Sequence, residues 1–480
     1  MKILMATSEF SPLASTGNLG DQVGVLAAEL KRFGHDVKVV MPLYRTVRES
    51  KHDVRPTEIE LQVNLGGKRT IADILQTTNS DGIEVFLVRR DEYFDRSGIY
   101  GSDGRAYDDN AERFIFLSKV VVELAQRLTP SPEIIHCHDW TAALVPVFVR
   151  DRQLPFRTAL TIHNLEYQGS FWSFDFALTN LPGSYFGPNG VEFYGRLNFL
   201  KAGILHADAV TLPGETALFE AFTVPHSFGL DAVLRENHFK TFGIPHGVDY
   251  AETNPPLEEL LGKHLQSGDG KPSYRQAVLE ELGLDKNAKG VVYALPIEPH
   301  DDAAFAAVKA FIDLILTANT CLIVTGKVPE ADLANVIVAE RKYPNCFCHL
   351  PDADKKIRQL ALAGADAVLL PSSLGFRAIT ALAAMRYATL PVVSFRGGVH
   401  QVVSDYDPTT DSGNGFIYCE HFRRALPDSV RRVNELYQQP DLWSQLAARA
   451  QKIDMSWHES AAAFTKLFAN LLRHRTPAPA

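Results

Sequence analysis

Apolar positions along the chain fall into short unbroken runs separated by longer stretches where they recur every three or four residues. Lys2–Ser8, Asp36–Met41, Val85–Val88, Ile134–Cys137, Thr158–Ile162 and Ala209–Leu212 are runs of the first kind, the pattern of strands buried on both faces. Between them Val23, Leu26, Ala27 and Leu30 lie at i, i+3, i+4 and i+7, and a similar stripe runs from Ala111 to Leu128, which predicts amphipathic helices. Gly34 supplies a stop for the first of these. The second half repeats the alternation, with strands expected at Gly290–Leu295, Cys321–Thr325, Asp366–Leu370 and Pro391–Phe395. Phe464, Leu467, Phe468 and Leu471 form a last helical stripe, and the Pro-rich end from Thr476 reads as frayed. Strands and helices alternating at this spacing predict parallel sheets wound on both faces. Around residues 254–274 the composition shifts to Pro-Pro, Ser-Gly-Asp-Gly and Lys-Pro, the mark of a linker. The expected architecture is therefore α/β. Two Rossmann-like, doubly wound domains are expected over 1–248 and 249–455, with a helix in 456–480 that packs back on the first.

Composition narrows the function without choosing it. A net charge of −9 over 480 residues argues against a general nucleic-acid or anionic-membrane binder. The five cysteines are too scattered for a disulfide framework, and Cys346-Phe-Cys348 alternates like a strand rather than spacing zinc ligands, so no metal site is expected. The opening Met-Lys-Ile-Leu-Met-Ala reads as a strand rather than a leader, and no run has the apolar length of a membrane span. A cytoplasmic setting is expected.

Candidate chemistry gathers just past the strand ends, where open α/β sheets place their ligands. One cluster is His136-Cys-His138-Asp139-Trp140, and another is His163-Asn164-Leu-Glu166-Tyr167-Gln168-Gly169. His136 reads as a packed side chain. His163, among polar neighbours at a strand end, reads as a group facing a ligand. Gly17 and Gly20 mark a turn between the first strand and helix. From Pro371 to Gly398 the chain runs strand end, helix, strand and glycine pair, half of a nucleotide-handling unit.

Longer motifs add a family. Phe94-Asp-Arg-Ser-Gly-Ile-Tyr-Gly101, Asp109-Asn-Ala-Glu-Arg-Phe114, His136-Cys-His-Asp-Trp140, Thr161-Ile-His-Asn-Leu-Glu-Tyr-Gln-Gly169, Asn198-Phe-Leu-Lys-Ala-Gly-Ile204 and Ala384-Met-Arg-Tyr-Ala388 together resemble the bacterial glycogen synthases and plant starch synthases. These enzymes transfer glucose from ADP-glucose to an α-1,4-glucan on a GT-B scaffold. The resemblance runs from Met1 to about Leu472 and implies roles by position. Glu9 would be the acceptor-side glutamate, Gly17 and Asp21 part of the glycine-rich loop, and His163 the contact to the donor glucose. Asp139, Asn164 and Tyr167 would complete the substrate side.

Several family positions are altered. The family's loop lysine and second glycine are Ser15 and Asn18, and the asparagine of its Asn-Gly turn is His246. After the first strand of the second domain, the arginine and lysine that clamp the diphosphate are Ala294 and Pro299. The glutamate that cradles the donor sugar is Gly375. Gly397 and Gly398 keep the phosphate turn, but Arg396 stands for its threonine. Losing one such preorganised group costs about 10²–10³ in rate. Lys327, Arg377 and Arg396 are either solvated charges or a relocated clamp, since an arginine fork binds phosphate well. The resemblance with these losses implies a glucan-binding or regulatory protein of glycogen metabolism, catalytically impaired, whose partners are an α-glucan or maltooligosaccharide and an enzyme of the same metabolism. The alternative is a live transferase with a rewired donor site. No cofactor is expected; ADP-glucose or another nucleotide sugar enters only in the second case.

Overall fold

The computed structural model describes residues 1–16, 18–102, 105–224, 226–247, 270–297, 302–316, 320–371, 377–395, 402–419, 425–453 and 456–473. The chain forms two compact units, Met1–Gly247 together with Trp457–Ala480, and Val248–Ser456.

The first unit is built on nine strands: β1 (Lys2–Ala6), β2 (Asp36–Pro42), β3 (Arg55–Leu65), β4 (Lys68–Thr78), β5 (Glu84–Arg89), β6 (Ile134–His138), β7 (Arg157–Thr161), β8 (Ala209–Pro213) and β9 (Thr241–Ile244). Their order in the sheet is β9-β8-β7-β6-β1-β2-β5-β4-β3. The pairings from β9 through β5 are parallel, and β4 and β3 add an antiparallel edge. Strand order reverses beside β1, where the chain has built outward to β5 and then returns on the other side as β6. The ends of β1 and β6 are thus the topological switch point, where such sheets open a crevice for ligands.

Helix α1 (Asn18–Arg32) buries Val23, Leu26, Ala27 and Leu30 as its periodicity requires, and α2 (Asn110–Arg127) is buried along most of its length. The last helix, Trp457–Arg473, belongs to this unit. Its Phe464 and Phe468 rings each lie 5.2 Å from His136, and Ser460 donates to the Pro245 carbonyl at 2.6 Å. The β3–β4 hairpin is an element that sequence reading passed over. Its alternation is plain in retrospect: Leu61, Val63 and Leu65 are buried while their neighbours are exposed, and Gly66 turns the chain at φ 58.

The second unit holds β10 (Val292–Pro296), β11 (Cys321–Thr325), β12 (Phe347–Leu350), β13 (Ala367–Leu370), β14 (Leu390–Ser394) and β15 (Phe416–Tyr418). They form one parallel sheet in the order β12-β11-β10-β13-β14-β15, with its switch point between β10 and β13. Ala294 lies within β10 rather than after it. It pairs with Ile323 and Val368 and is 2% exposed, so the position that the resemblance gives to an arginine is filled by core packing. The short strands β9 and β15 were also unforeseen, because three or four residues carry no readable period.

Candidate functional site

Past the end of β1 the chain curls over Thr7, whose hydroxyl donates to the Glu9 carbonyl at 2.8 Å and accepts the Glu9 N–H at 3.2 Å. This turn points Glu9 inward, and it is 3% exposed. Its carboxylate accepts the Tyr100 hydroxyl at 2.6 Å, the Thr16 N–H at 2.5 Å and the Thr16 hydroxyl at 3.0 Å. Because Tyr100 spends its proton on Glu9, it accepts from Ser8 at 2.8 Å, and Ser8 accepts from Thr141 at 3.1 Å. A directed chain of hydroxyls therefore ends on a buried carboxylate. Burial and the Glu9 charge hold the Tyr100 hydroxyl well above its ordinary pKa, so it remains a donor.

Tyr100 is placed by Arg113, a residue inside a quoted motif to which sequence reading gave no role. Arg113 is 0% exposed and donates to the carbonyls of Tyr93 at 2.7 Å and Ile99 at 2.9 Å, and to the Asn110 side chain at 2.6 Å. Asn110 in turn donates to the Tyr100 carbonyl at 2.9 Å.

Across the switch point, β6 and β7 carry a row of histidines. His136 and His138 rings are 4.2 Å apart, His138 and His163 5.4 Å, and His163 and His246 4.9 Å. The His163 ring uses both nitrogens within the protein. Nδ1 meets the Gln22 side-chain oxygen at 2.7 Å, so Nδ1 carries the proton; Nε2 therefore accepts from His138 Nδ1 at 3.1 Å. His136 Nε2 meets the Thr161 hydroxyl at 2.6 Å. Burial lowers all four pKa values, His136 to about 3, His246 to about 4, and His138 and His163 well below the usual range, so the row is neutral near pH 7.

Asp139 holds the two strand ends together. It adopts φ 56, a left-handed backbone that aspartate tolerates better than most residues, and its carboxylate accepts the His163 N–H at 2.7 Å and the Asn164 N–H. Burial pushes its pKa up to about 7 against those two donors, with the Glu9 charge adding to the rise. Asp139→Gly removes the carboxylate but suits the backbone, whereas Asp139→Val removes the carboxylate and strains the backbone. We expect Asp139→Val to be the less stable of the two by about 1 kcal/mol or more in urea unfolding.

The other predicted residues are dispersed. Asn164 is exposed and its side chain accepts the Glu166 N–H at 2.8 Å, while Tyr167 is 61% exposed. Asp21 accepts the Ser11 hydroxyl, and Ser15 is exposed beside Gly20. His246 stacks on Trp457 at 5.7 Å. In the second unit Lys327 is exposed and lies 3.8 Å from Asp352. Arg377 is the first residue of the helix Arg377–Arg386, and Asn18 the first of α1; their side chains lie outside the described residues. Gly17, Pro299, Gly375, Arg396, Gly397 and Gly398 also lie outside them. Gln22, whose side-chain oxygen accepts the His163 Nδ1–H, was missed. Its signal was a polar residue between Leu19 and Val23 on the inward stripe of α1. Among the described residues no group of three or more His, Cys, Asp or Glu side chains could hold a metal ion, and no helix is long and apolar enough to cross a membrane.

This geometry has close relatives. The profile of the starch synthase catalytic domain matches residues 2–236. The glycogen synthase of Syntrophotalea carbinolica is 31% identical over 476 residues, covering 98% of either chain. Glycogen synthase 2 of Geobacter metallireducens is 33% identical over 498 residues, covering 99% of this chain and 100% of its own. The chain belongs to the glycogen synthase family. The solved catalytic domain of starch synthase IV from Arabidopsis thaliana, bound to ADP and acarbose, has the same fold, with a TM-score of 0.76 at 24% identity over 98% of this chain and 99% of its own. Sucrose-phosphate synthase from Thermosynechococcus elongatus follows at 0.54 and 15%, covering 98% of this chain and 99% of its own. The parallel α/β sheets of this glycogen synthase relative are thus those of GT-B glycosyltransferases.

Proposed function

We propose that this member of the glycogen synthase family binds α-1,4-glucan without efficient transfer, serving as a regulatory or scaffolding component of glycogen metabolism in the cytoplasm. The observation that carries the reading is the internal engagement of His163. A ring meant to meet a donor sugar has one nitrogen on Gln22 and the other on His138. The altered family positions weigh the same way. Ser15, Ala294 and Pro299 replace cations, and Gly375 replaces a carboxylate, where a departing diphosphate and a glucose would need them. Members of one site act as a unit, so these losses compound rather than add. Glycogen is named by the relatives, which makes a glucan the ligand retained when the donor is lost.

Calorimetry on the full chain tests this directly. Maltoheptaose is expected to bind and ADP-glucose to give no saturable heat. Saturable ADP-glucose binding that disappears in Arg377→Ala and Arg396→Ala would overturn the proposal in favour of a rewired transferase.

A further inference from the structure

A second cavity opens in the first unit where β2 and β5 end side by side and β4 runs antiparallel next to them. It offers about 280 Å³ and is lined by Leu43, Arg48, His52, Val54, Leu75 and Arg89. Leu43 follows β2, Arg89 closes β5, and the register sets Pro42 against Val88 between them. The carboxyl ends of neighbouring parallel strands are where such sheets take ligands. In sheet order the cavity lies beyond β2, on the side away from β6, and its lining shares no residue with the Glu9 and His163 clusters.

Every ionisable side chain in the lining is basic, in a chain of net charge −9. Two carboxylates behind the lining hold the arginines. Arg89 donates through Nε and Nη2 to Asp91, at 3.3 Å each. Arg48 donates through Nη2 to Asp91 at 3.4 Å and through Nη1 to Asp95 at 2.9 Å. Arg45 completes the frame, giving its Nε–H to Asp95 at 2.8 Å. Exposed ion pairs of this kind add little stability, but a shared carboxylate fixes the angle of each planar fork. A guanidinium carries five N–H donors. Among the described residues, Arg89 Nη1 and Arg48 Nε make no hydrogen bond, so both forks keep donors to give. Glu49 and Asp73 bear on Arg45 and Arg89 at longer range, and neither lines the cavity.

We infer that Arg48, His52 and Arg89 form a binding site for a small phosphate monoester, with its carbon skeleton against Leu43, Val54 and Leu75. Two arginine forks and an imidazole supply donors from three directions, which suits the three terminal oxygens of a tetrahedral phosphate better than a planar carboxylate. The apolar wall has no use for a bare ion but suits the body of an ester. The volume falls just below the range of about 300–1,000 Å³ that takes drug-sized molecules, so the ester is compact. The site does not depend on whether the chain binds glucan or transfers glucose.

Calorimetry on the full chain at pH 7 in low-salt buffer tests this, with inorganic phosphate and glycerol 3-phosphate as probes. Both are expected to give saturable heat, and glycerol 3-phosphate to bind the tighter. Arg48→Met/Arg89→Met is expected to weaken both about tenfold or more, as the loss of charge-assisted hydrogen bonds requires, while melting as the parent does. His52→Gln touches no ion pair and keeps the test open if the double variant melts early; it is expected to weaken both about threefold or more. Equal binding by the parent and both variants would overturn the site, as would acetate competing as well as phosphate. So would a parent that gives no saturable heat with either probe. Inorganic phosphate binding as tightly as the ester would confine the site to the anion and overturn the part given to Leu43, Val54 and Leu75.

Discussion

Arg113→Ala is expected to destabilise the first unit by about 3–5 kcal/mol, enough to populate its unfolded form at ambient temperature. The guanidinium is fully buried and donates to two backbone carbonyls and one amide side chain. It also lies 5.0–5.4 Å from the Phe94, Tyr107 and Phe114 rings. Among the described residues no carboxylate pairs with it directly, and burial lowers its pKa, so its charge is stabilised by carbonyl dipoles and ring faces. Truncation leaves those acceptors buried and unpaired as well as opening a cavity. Arg113→Lys is expected to recover little, because an ammonium cannot reproduce a planar fork reaching three partners. The measurement is calorimetric unfolding, in which the first unit's transition moves and that of the second, which shares none of these contacts, does not. A shift below about 1 kcal/mol would show that the loop around Tyr100 is held by something else.

Acidification has the second large expected effect. Free histidine titrates near pH 6.5, whereas burial lowers native His136 to about 3 and His246 to about 4 and holds His138 and His163 well below the ordinary range. Between those limits the unfolded chain binds more protons than the native one, so stability is full above pH 6.5 and is lost as pH falls through the window. Asp139 opposes this. Its native pKa of about 7 lies above the unfolded value, so its contribution is greatest at low pH and fades as pH rises towards 7. His136 and His246 against Asp139 leave a net loss on the order of 1 kcal/mol per pH unit below pH 6, which His138 and His163 steepen. Urea midpoints at pH 7, 6 and 5 measure it, and His138→Gln is expected to flatten the profile. A profile with no slope would mean that the rings protonate freely in the native state.

Much of the molecule was legible in its sequence. Buried parallel strands need apolar side chains on both faces, so Ile134–His138 and Cys321–Thr325 declare themselves as unbroken runs, and α1 does so through its stripe. The histidines and Asp139 were found because strand ends are where polar residues in such runs must emerge. The β3–β4 hairpin was readable by alternation but was overshadowed by the stronger βα rhythm.

The sequence by itself determined the α/β class and the family. Only the tertiary structure decided how the polar groups are used. Gln22 meets His163 across 141 positions of sequence, and Tyr100 meets Glu9 across 91. Residue type states what a side chain can donate or accept, while the partner it meets is chosen by packing between distant elements. That choice turned a histidine expected to face a sugar into one held from both sides by the protein.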